Sequence, residues 1–267
     1  MKLKDFSKSC SVIAIVSLCL LTALPSSGFA GDKKESISAI SGIPSYKPPV
    51  ENATVRRIEA GADRGLTRAL KRSITRGLIR KGSKEKVIKV PARIAPLAPQ
   101  HTGFTLKNNP VLACYISAPW SGKMNFKLNA PELLIDPVVD VTINGPDKEG
   151  IYKINLADYK VGLKPGVEYE WFLSIIFDED ERSSDLLAGA TIKFVQPSGN
   201  LSARLADTPK EKLYYIYAAE GYWYDAIASL SQGIEVSSGD KTLRMHRAEL
   251  LKQVNLPLAA AYDSRGL

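Results

Sequence analysis

The sequence predicts a two-sheet β-sandwich followed by a C-terminal α-helical hairpin and one further helix, with a disordered or helical arm ahead of both. Three observations predict it. From Val90 the chain alternates apolar and polar residues in short runs separated by Asn, Gly, Pro and Asp, the pattern of antiparallel strands. After Gln196-Pro197-Ser198-Gly199 the leucines recur at helical spacing instead. Lys210 to Gln232 then holds the densest run of large apolar residues in the chain, more aromatic surface than a bare hairpin can bury, so it must dock on the strands. The 267 residues divide accordingly into a signal peptide (1–30), a linker and basic amphipathic segment (31–89), the sandwich (90–196) and a helical subdomain packed on it (197–267).

Lys2, Lys4 and Lys8 precede an apolar run from Ser11 to Leu24, and Pro25 and the small-residue site Gly28-Phe29-Ala30 follow. That order is a secretory signal, with cleavage expected after Ala30. A lipoprotein acylated at Cys19 and an uncleaved anchor compete with it. Leu18 is a poor neighbour for a lipidated cysteine, and an apolar run of about 13 residues is short for a span needing about 20. Export implies a periplasmic, cell-surface or extracellular protein. Cys10 and Cys19 leave with the signal, so the mature chain keeps Cys114 alone, with no internal disulfide. Its apolar neighbours Leu112, Ala113 and Ile116 favour an inert buried thiol over a nucleophile.

Residues 31–54, with Ile43-Pro44-Ser45 and Lys47-Pro48-Pro49-Val50, show no periodicity and read as a disordered spacer. From 55 to 81, Val55, Ile58, Ala62, Leu66, Leu70, Ile74 and Leu78 recur every three or four residues while arginines fill the other faces, predicting a basic amphipathic helix. Between Glu51 and Val90 stand twelve Lys and Arg against four Asp and Glu, so the net charge of +8 belongs to one segment. The segment reads either as an attachment to acidic lipid headgroups or an acidic polymer, or as a solvated linker. Export argues against nucleic acid as its ligand.

Strands are expected at Gly103–Lys107, Val111–Ala118, Lys123–Leu128, Val138–Ile143, Gly150–Asn155, Glu168–Phe177 and Leu187–Val195. Leu163-Lys164-Pro165-Gly166-Val167-Glu168-Tyr169 looks like the corner before the sixth strand of fibronectin type III and other immunoglobulin-like domains, whose tyrosine hydroxyl bonds back across the turn. Tyr169 takes that role, with Trp171, Leu173 and Ile175 on its face. Phe172 and Ile176 make the other face apolar too, so this strand should be central and covered twice.

Beyond the sandwich, Thr208-Pro209 with Glu211 reads as a helix start, and Gly221-Tyr222 as the hinge of a helical hairpin. Tyr217, Gly221, Trp223, Ala226, Leu230 and Gly233 have the spacing of one tetratricopeptide repeat, but no second copy follows at 34 residues, so a lone hairpin is the better reading. A last helix is expected over Lys241–Val254, ending before Asn255-Leu256-Pro257.

In this order, Leu97-Ala98-Pro99-Gln100-His101-Thr102-Gly103 with Asn109-Pro110, Leu163 to Phe177 with Asp178 and Arg182-Ser183, Tyr217 to Leu230 with its Gly-x-Trp-Tyr-Asp-Ala core, and Leu250-Leu251 to Leu256 form a set. The set resembles an exported bacterial family best known from cyanobacteria, domain-of-unknown-function family 928. Val111 to Cys114 stand where that family has an aromatic pair, and His246 where it commonly has tryptophan. The resemblance implies export and the sandwich-plus-helices arrangement. It implies no activity.

No catalytic, cofactor-binding or metal site is expected. His101 and His246 fall in different elements, far from the three or four short-spaced ligands of a zinc site. His101 reads as a hydrogen-bonding turn residue rather than a base, and no Gly-x-Ser-x-Gly elbow supports a hydrolase. Asp178, Glu179, Asp180 and Glu181 lack EF-hand spacing and read as a solvated hairpin tip. Asp225, beside Trp223 and Tyr224 in an apolar wall, needs a partner such as Arg204 or a tyrosine hydroxyl. Tyr169, Trp171, Trp223, Tyr224, Asp225 and His101 are thus the positions to follow as binding or structural residues. The expected function is a non-enzymatic protein-interaction module of the bacterial cell envelope. Its alternative is a carbohydrate-binding or carbohydrate-processing domain, with Trp120, Tyr222 and Trp223 as a stacking platform.

Overall fold

The computed structural model describes residues 42–49, 57–61, 90–131, 136–265 and 267. The expected signal peptide and the basic segment over 62–89 lie outside them. Among these residues nine strands and five α-helices follow in order: β1 (Ala60–Gly61), β2 (Arg93–Pro96), β3 (Gly103–Thr105), β4 (Val111–Ile116), β5 (Lys123–Asn129), β6 (Val139–Asn144), β7 (Gly150–Asn155), β8 (Glu168–Ile175) and β9 (Leu186–Phe194), then α1 (Gly199–Asp207), α2 (Leu213–Ala219), α3 (Trp223–Val236), α4 (Lys241–Gln253) and α5 (Pro257–Ser264). One sheet has the order β1-β2-β4-β7 and the other β3-β9-β8-β5-β6. Every pairing is antiparallel except β3 with β9.

Alternation sets the inward face. Met124, Phe126 and Leu128 of β5 are fully buried while Asn125 and Lys127 between them are not, and β8 buries Tyr169, Trp171, Leu173 and Ile175 in register with them. These residues, Leu112 and Ile116 from the other sheet, and Trp223, Leu230 and Leu250 from the helices belong to one continuous apolar core. Helices α2 to α5 are therefore built into the same core as the sheets, while Leu201 of α1 packs with Ile216 and Tyr222 in a second cluster.

The strand covered on both faces is β4, not β8. Leu112, Cys114 and Ile116 lie on one side of β4, and Ala113 and Tyr115 are buried on the other, where Tyr115 meets Tyr262 of α5 at 5.7 Å between ring centroids. In β8, by contrast, Glu170 is exposed and Phe172 and Ser174 are only half-buried. The helices cover β4's side of the molecule, and Phe172 instead lies over Gly189, where a Cβ would come within 2.5 Å of its ring.

Three more expectations need correction. Thr208-Pro209 does not cap the hairpin: Thr208 ends α1, its hydroxyl donating back to Arg204 O at 2.7 Å, and Pro209 precedes a short 3₁₀ turn at Lys210–Lys212. Residues 57–61 are extended rather than helical. Ile58 exchanges backbone hydrogen bonds with Gly189 (2.8 and 3.0 Å), and Arg57, with 4% of its side chain exposed, donates to Val254 O (2.7 Å), Asn255 O (3.0 Å) and Ala98 O (2.9 Å). The two terminal nitrogens of one guanidinium thereby take up the carbonyls of the two residues just past α4, and Ala98 O with them. Residues 42–49, within the expected spacer, are a packed strap. Tyr46 N–H donates to Gln253 Oε1 (2.7 Å), Lys47 N–H to Ala218 O (3.1 Å), and Pro44 O and Gly42 O accept from Gln253 (2.9 Å) and Tyr215 (2.7 Å).

Candidate functional site

Five of the six followed residues fall into a corner and a fastener, and His101 lies apart from both. At the corner, Tyr169 is buried and its Oη accepts the Lys164 N–H at 3.2 Å, tying Lys164-Pro165-Gly166 back onto β8. The fastener is the start of α3. Gly221, at φ +84°, turns the chain between α2 and α3 in a conformation that favours glycine, and a Cβ there would press on Lys47 O at 3.1 Å. The three residues that open α3 then each engage a different strand or its flank.

Trp223 is fully buried and donates from Nε1 to Leu97 O at 2.7 Å. Tyr224 accepts from Trp171 Nε1 (2.9 Å) and donates to Thr191 O (3.0 Å), joining α3 to β8 and β9. Its ring lies so close to Gly103 that a Cβ there would stand 2.6 Å from it, which is why β3 opens on glycine. Asp225 is 4% exposed, and its Oδ2 accepts the Leu106 N–H at 2.7 Å, just beyond β3. Burial pushes its carboxyl up, while the hydrogen bonds from Leu106 N–H and the Thr105 hydroxyl pull the other way. Arg204, one expected partner, pairs with Glu220 at 2.5 Å instead. A backbone N–H more than a hundred residues away does what a charged side chain was expected to do.

His101 sits outside the fastener. Its ring stacks on Tyr46 at 5.9 Å between centroids, Nδ1 is 3.0 Å from Thr102 O, and Nε2 is 3.4 Å from Tyr46 Oη. With the proton on Nδ1, the imidazole donates to the carbonyl and faces the phenol with its lone pair. Tyr46 also packs edge-on against Trp223 at 4.8 Å. Burial alone pushes the Tyr46 phenol up. His246 is separate, buried with Nδ1 2.8 Å from Tyr214 Oη. Cys114 is a buried free thiol whose pKa burial raises. Asp178, expected in a solvated tip, is buried and accepts Asp180 N–H at 3.1 Å. Among the described residues no group of three or more His, Cys, Asp or Glu is placed to hold a metal, and no helix is long and apolar enough to cross a membrane.

The three aromatics of the expected sugar platform do not form one. Trp223 and Tyr222 are buried, and half-buried Trp120 packs edge-on against Phe177 at 5.2 Å with Nε1 donating to Lys123 O.

Among the described residues a groove of about 490 Å³ opens beside β7. Pro146 to Lys153 form one wall, and Ser231, Ile234 and Glu235 of α3, Arg244 and Arg247 of α4 and Tyr262 of α5 form the other. β7 pairs with β4 on one side, and among the described residues no strand pairs on its other side. Arg247 fixes the helical wall: Nε and Nη2 donate to Asp263 Oδ2 (2.7 Å) and Oδ1 (2.6 Å), and Nη1 donates to Ser231 Oγ (2.9 Å). Ser231 in turn donates to Ile227 O. Lys153 pairs with Glu235 across the groove, and Glu149 accepts from Tyr115 and Arg265 at its end. Sequence reasoning passed over this groove because 144–155 reads as an ordinary turn and strand. Its one legible signal was Arg247, a charge on the helical face that also carries Leu243, Leu250, Leu251 and Val254.

Among curated proteins none matches this chain. The family model described as Domain of Unknown Function (DUF928) matches residues 71–263, well over half of the sequence, and covers β2 to β9, the fastener and most of α5. The chain belongs to the DUF928 family.

Proposed function

We propose that this is an exported, non-enzymatic protein-interaction module of the bacterial cell envelope, built as an immunoglobulin-like sandwich carrying a helical buttress. The observation that carries the reading is the outer edge of β7, with no strand beside it among the described residues, facing a groove with one helical wall. Edge strands are where extended segments of other proteins add to a sheet. The β6 edge of the second sheet is, by contrast, blunted: β6 exposes Asp140, Thr142 and Asn144, and Lys127 bridges to Asp140.

The sandwich assignment is supported by the strand order. β2-β4-β7 and β9-β8-β5-β6 correspond to strands A-B-E and G-F-C-C′ of that architecture, and Tyr169 closes the corner before its F strand. Export is supported by the basic-apolar-small pattern of residues 1–30. The basic segment adds an attachment to anionic surfaces.

The test is to express the full chain with a C-terminal tag in its native host, fractionate the cell, and cross-link before purification, with and without residues 62–89. That deletion spares Arg57 and β1, which belong to the fold. The reading expects the protein outside the cytoplasm and a specific protein partner that survives the deletion. Recovery from the cytoplasm, or of lipid or glycan alone, would contradict it.

A further inference from the structure

We infer that the groove beside β7 takes an extended, acidic peptide segment of a partner protein, which adds as a strand to the β1-β2-β4-β7 sheet. This rests on the protein-interaction reading and names the chemistry of its partner.

Two observations combine. The first is backbone: the six residues of β7 present an edge with no strand beside it among the described residues. At about 3.4 Å per residue that edge accommodates a segment of about six residues, or about 20 Å. Main-chain pairing supplies affinity in such complexes, and the flanking wall supplies selectivity.

The second is charge. In the groove the Arg247 guanidinium is bound by Asp263, Lys153 by Glu235, and Glu149 by Arg265. What those pairs leave over is Arg244 on the helical wall and Lys148 at the mouth, neither with a partner among the described residues, against Asp147 alone. A half-buried arginine with a free planar fork beside a strand edge is suited to a carboxylate side chain on the incoming strand. Ile151 and Ile234 give the floor of the groove apolar contact for the alternate side chains.

The experiment uses the full chain without residues 1–30, labelled with ¹⁵N. The probe is a capped decapeptide alternating Glu and Val, compared with its Lys and Val counterpart and with the acidic peptide N-methylated along its backbone. The expected result is saturable binding of the acidic peptide, with shifts and slowed hydrogen exchange at the amides of Gly150–Asn155, and none for the other two. Arg244→Glu should weaken the acidic peptide at least about tenfold and admit the basic one. Arg244→Gln, a milder change on the same helix face, should weaken it without admitting the basic peptide. Binding of the N-methylated peptide would overturn strand addition, and indifference to both Arg244 variants would overturn the acidic specificity. Protection of the same amides by protein concentration alone, without peptide, would make a second copy of the chain the occupant and overturn the proposal. An envelope partner that Arg244→Glu retains would sink the groove and leave the interaction reading standing; finding no envelope partner at all would sink the reading itself.

Discussion

Tyr169 and Asp225 show how much one residue can report before a structure is known. The turn chemistry around Tyr169 is local, five residues between the hydroxyl and the Lys164 N–H it accepts, so the likeness of the Leu163–Tyr169 run to a known corner identified it. Replacing it with Phe removes one hydrogen bond and little volume, and is expected to cost about 1 kcal/mol in urea unfolding with an unchanged m value. Asp225 was legible as a charge in an apolar wall, but its partner was not, because Leu106 N–H is a backbone group brought in by tertiary packing. The pairing of Arg247 with Asp263 was invisible for the same reason: nothing local pairs a residue of α4 with one of α5. His246 gives the pH prediction. Burial lowers its pKa below the ordinary value of 6.5, with Asp240 acting in the opposite sense. A histidine held neutral in the fold binds more protons when unfolded, so its contribution to stability is present above pH 6.5 and is lost as pH falls below it. Thermal unfolding followed from pH 7.5 down to 5 should show a falling midpoint, and His246→Phe should flatten that slope. An equal slope in the variant would assign the acid sensitivity elsewhere.

Elements were legible in proportion to their length and periodicity. Six of the nine strands among the described residues run six residues or more, and each lies where the pattern placed it to within two or three positions. β2 hides because four residues ending in Pro96 carry too little pattern, and α5 because it opens on Pro257, the residue expected to end the preceding helix. The strap at 42–49 was illegible for a different reason. Its hydrogen bonds are made by backbone groups to Ala218 and Gln253, and a proline-rich segment without periodicity looks the same whether it is docked or free. The strap's hold depends on Tyr46, wedged between His101 and Trp223. Tyr46→Ala should cost about 2 kcal/mol, a midpoint drop of about 4–8 °C in a chain of this size. A variant as stable as the parent would mean that the strap rides on the surface without supporting it.

At the scale of the whole molecule, two sheets and helices α2 to α5 share one core, with Trp171, Tyr224 and Thr191 hydrogen-bonded in series across three elements. Sheets and helices should therefore unfold together. Native-state hydrogen exchange should give the slowest amides of α3 and β8 the same opening free energy, and earlier opening of α3 would mark the helices as a separate unit. This sharing was the part of the architecture the sequence carried most clearly, since the aromatic surface of 210–232 had to dock somewhere. Which face it covers was not legible, because the choice between β4 and β8 depends on which sheet the hairpin returns to. The functional claim also lives at this scale, since it needs the β7 edge of one sheet to be open while the β6 edge of the other sheet is blunted. The most direct measurement places a photo-cross-linking amino acid at Lys153, in the groove, or at Thr142, exposed on β6, in the full chain in its native host. The account predicts one envelope protein cross-linked from position 153 and not from 142, and lost on Arg244→Glu. No cross-link from 153, or the same adduct from both edges, would contradict it.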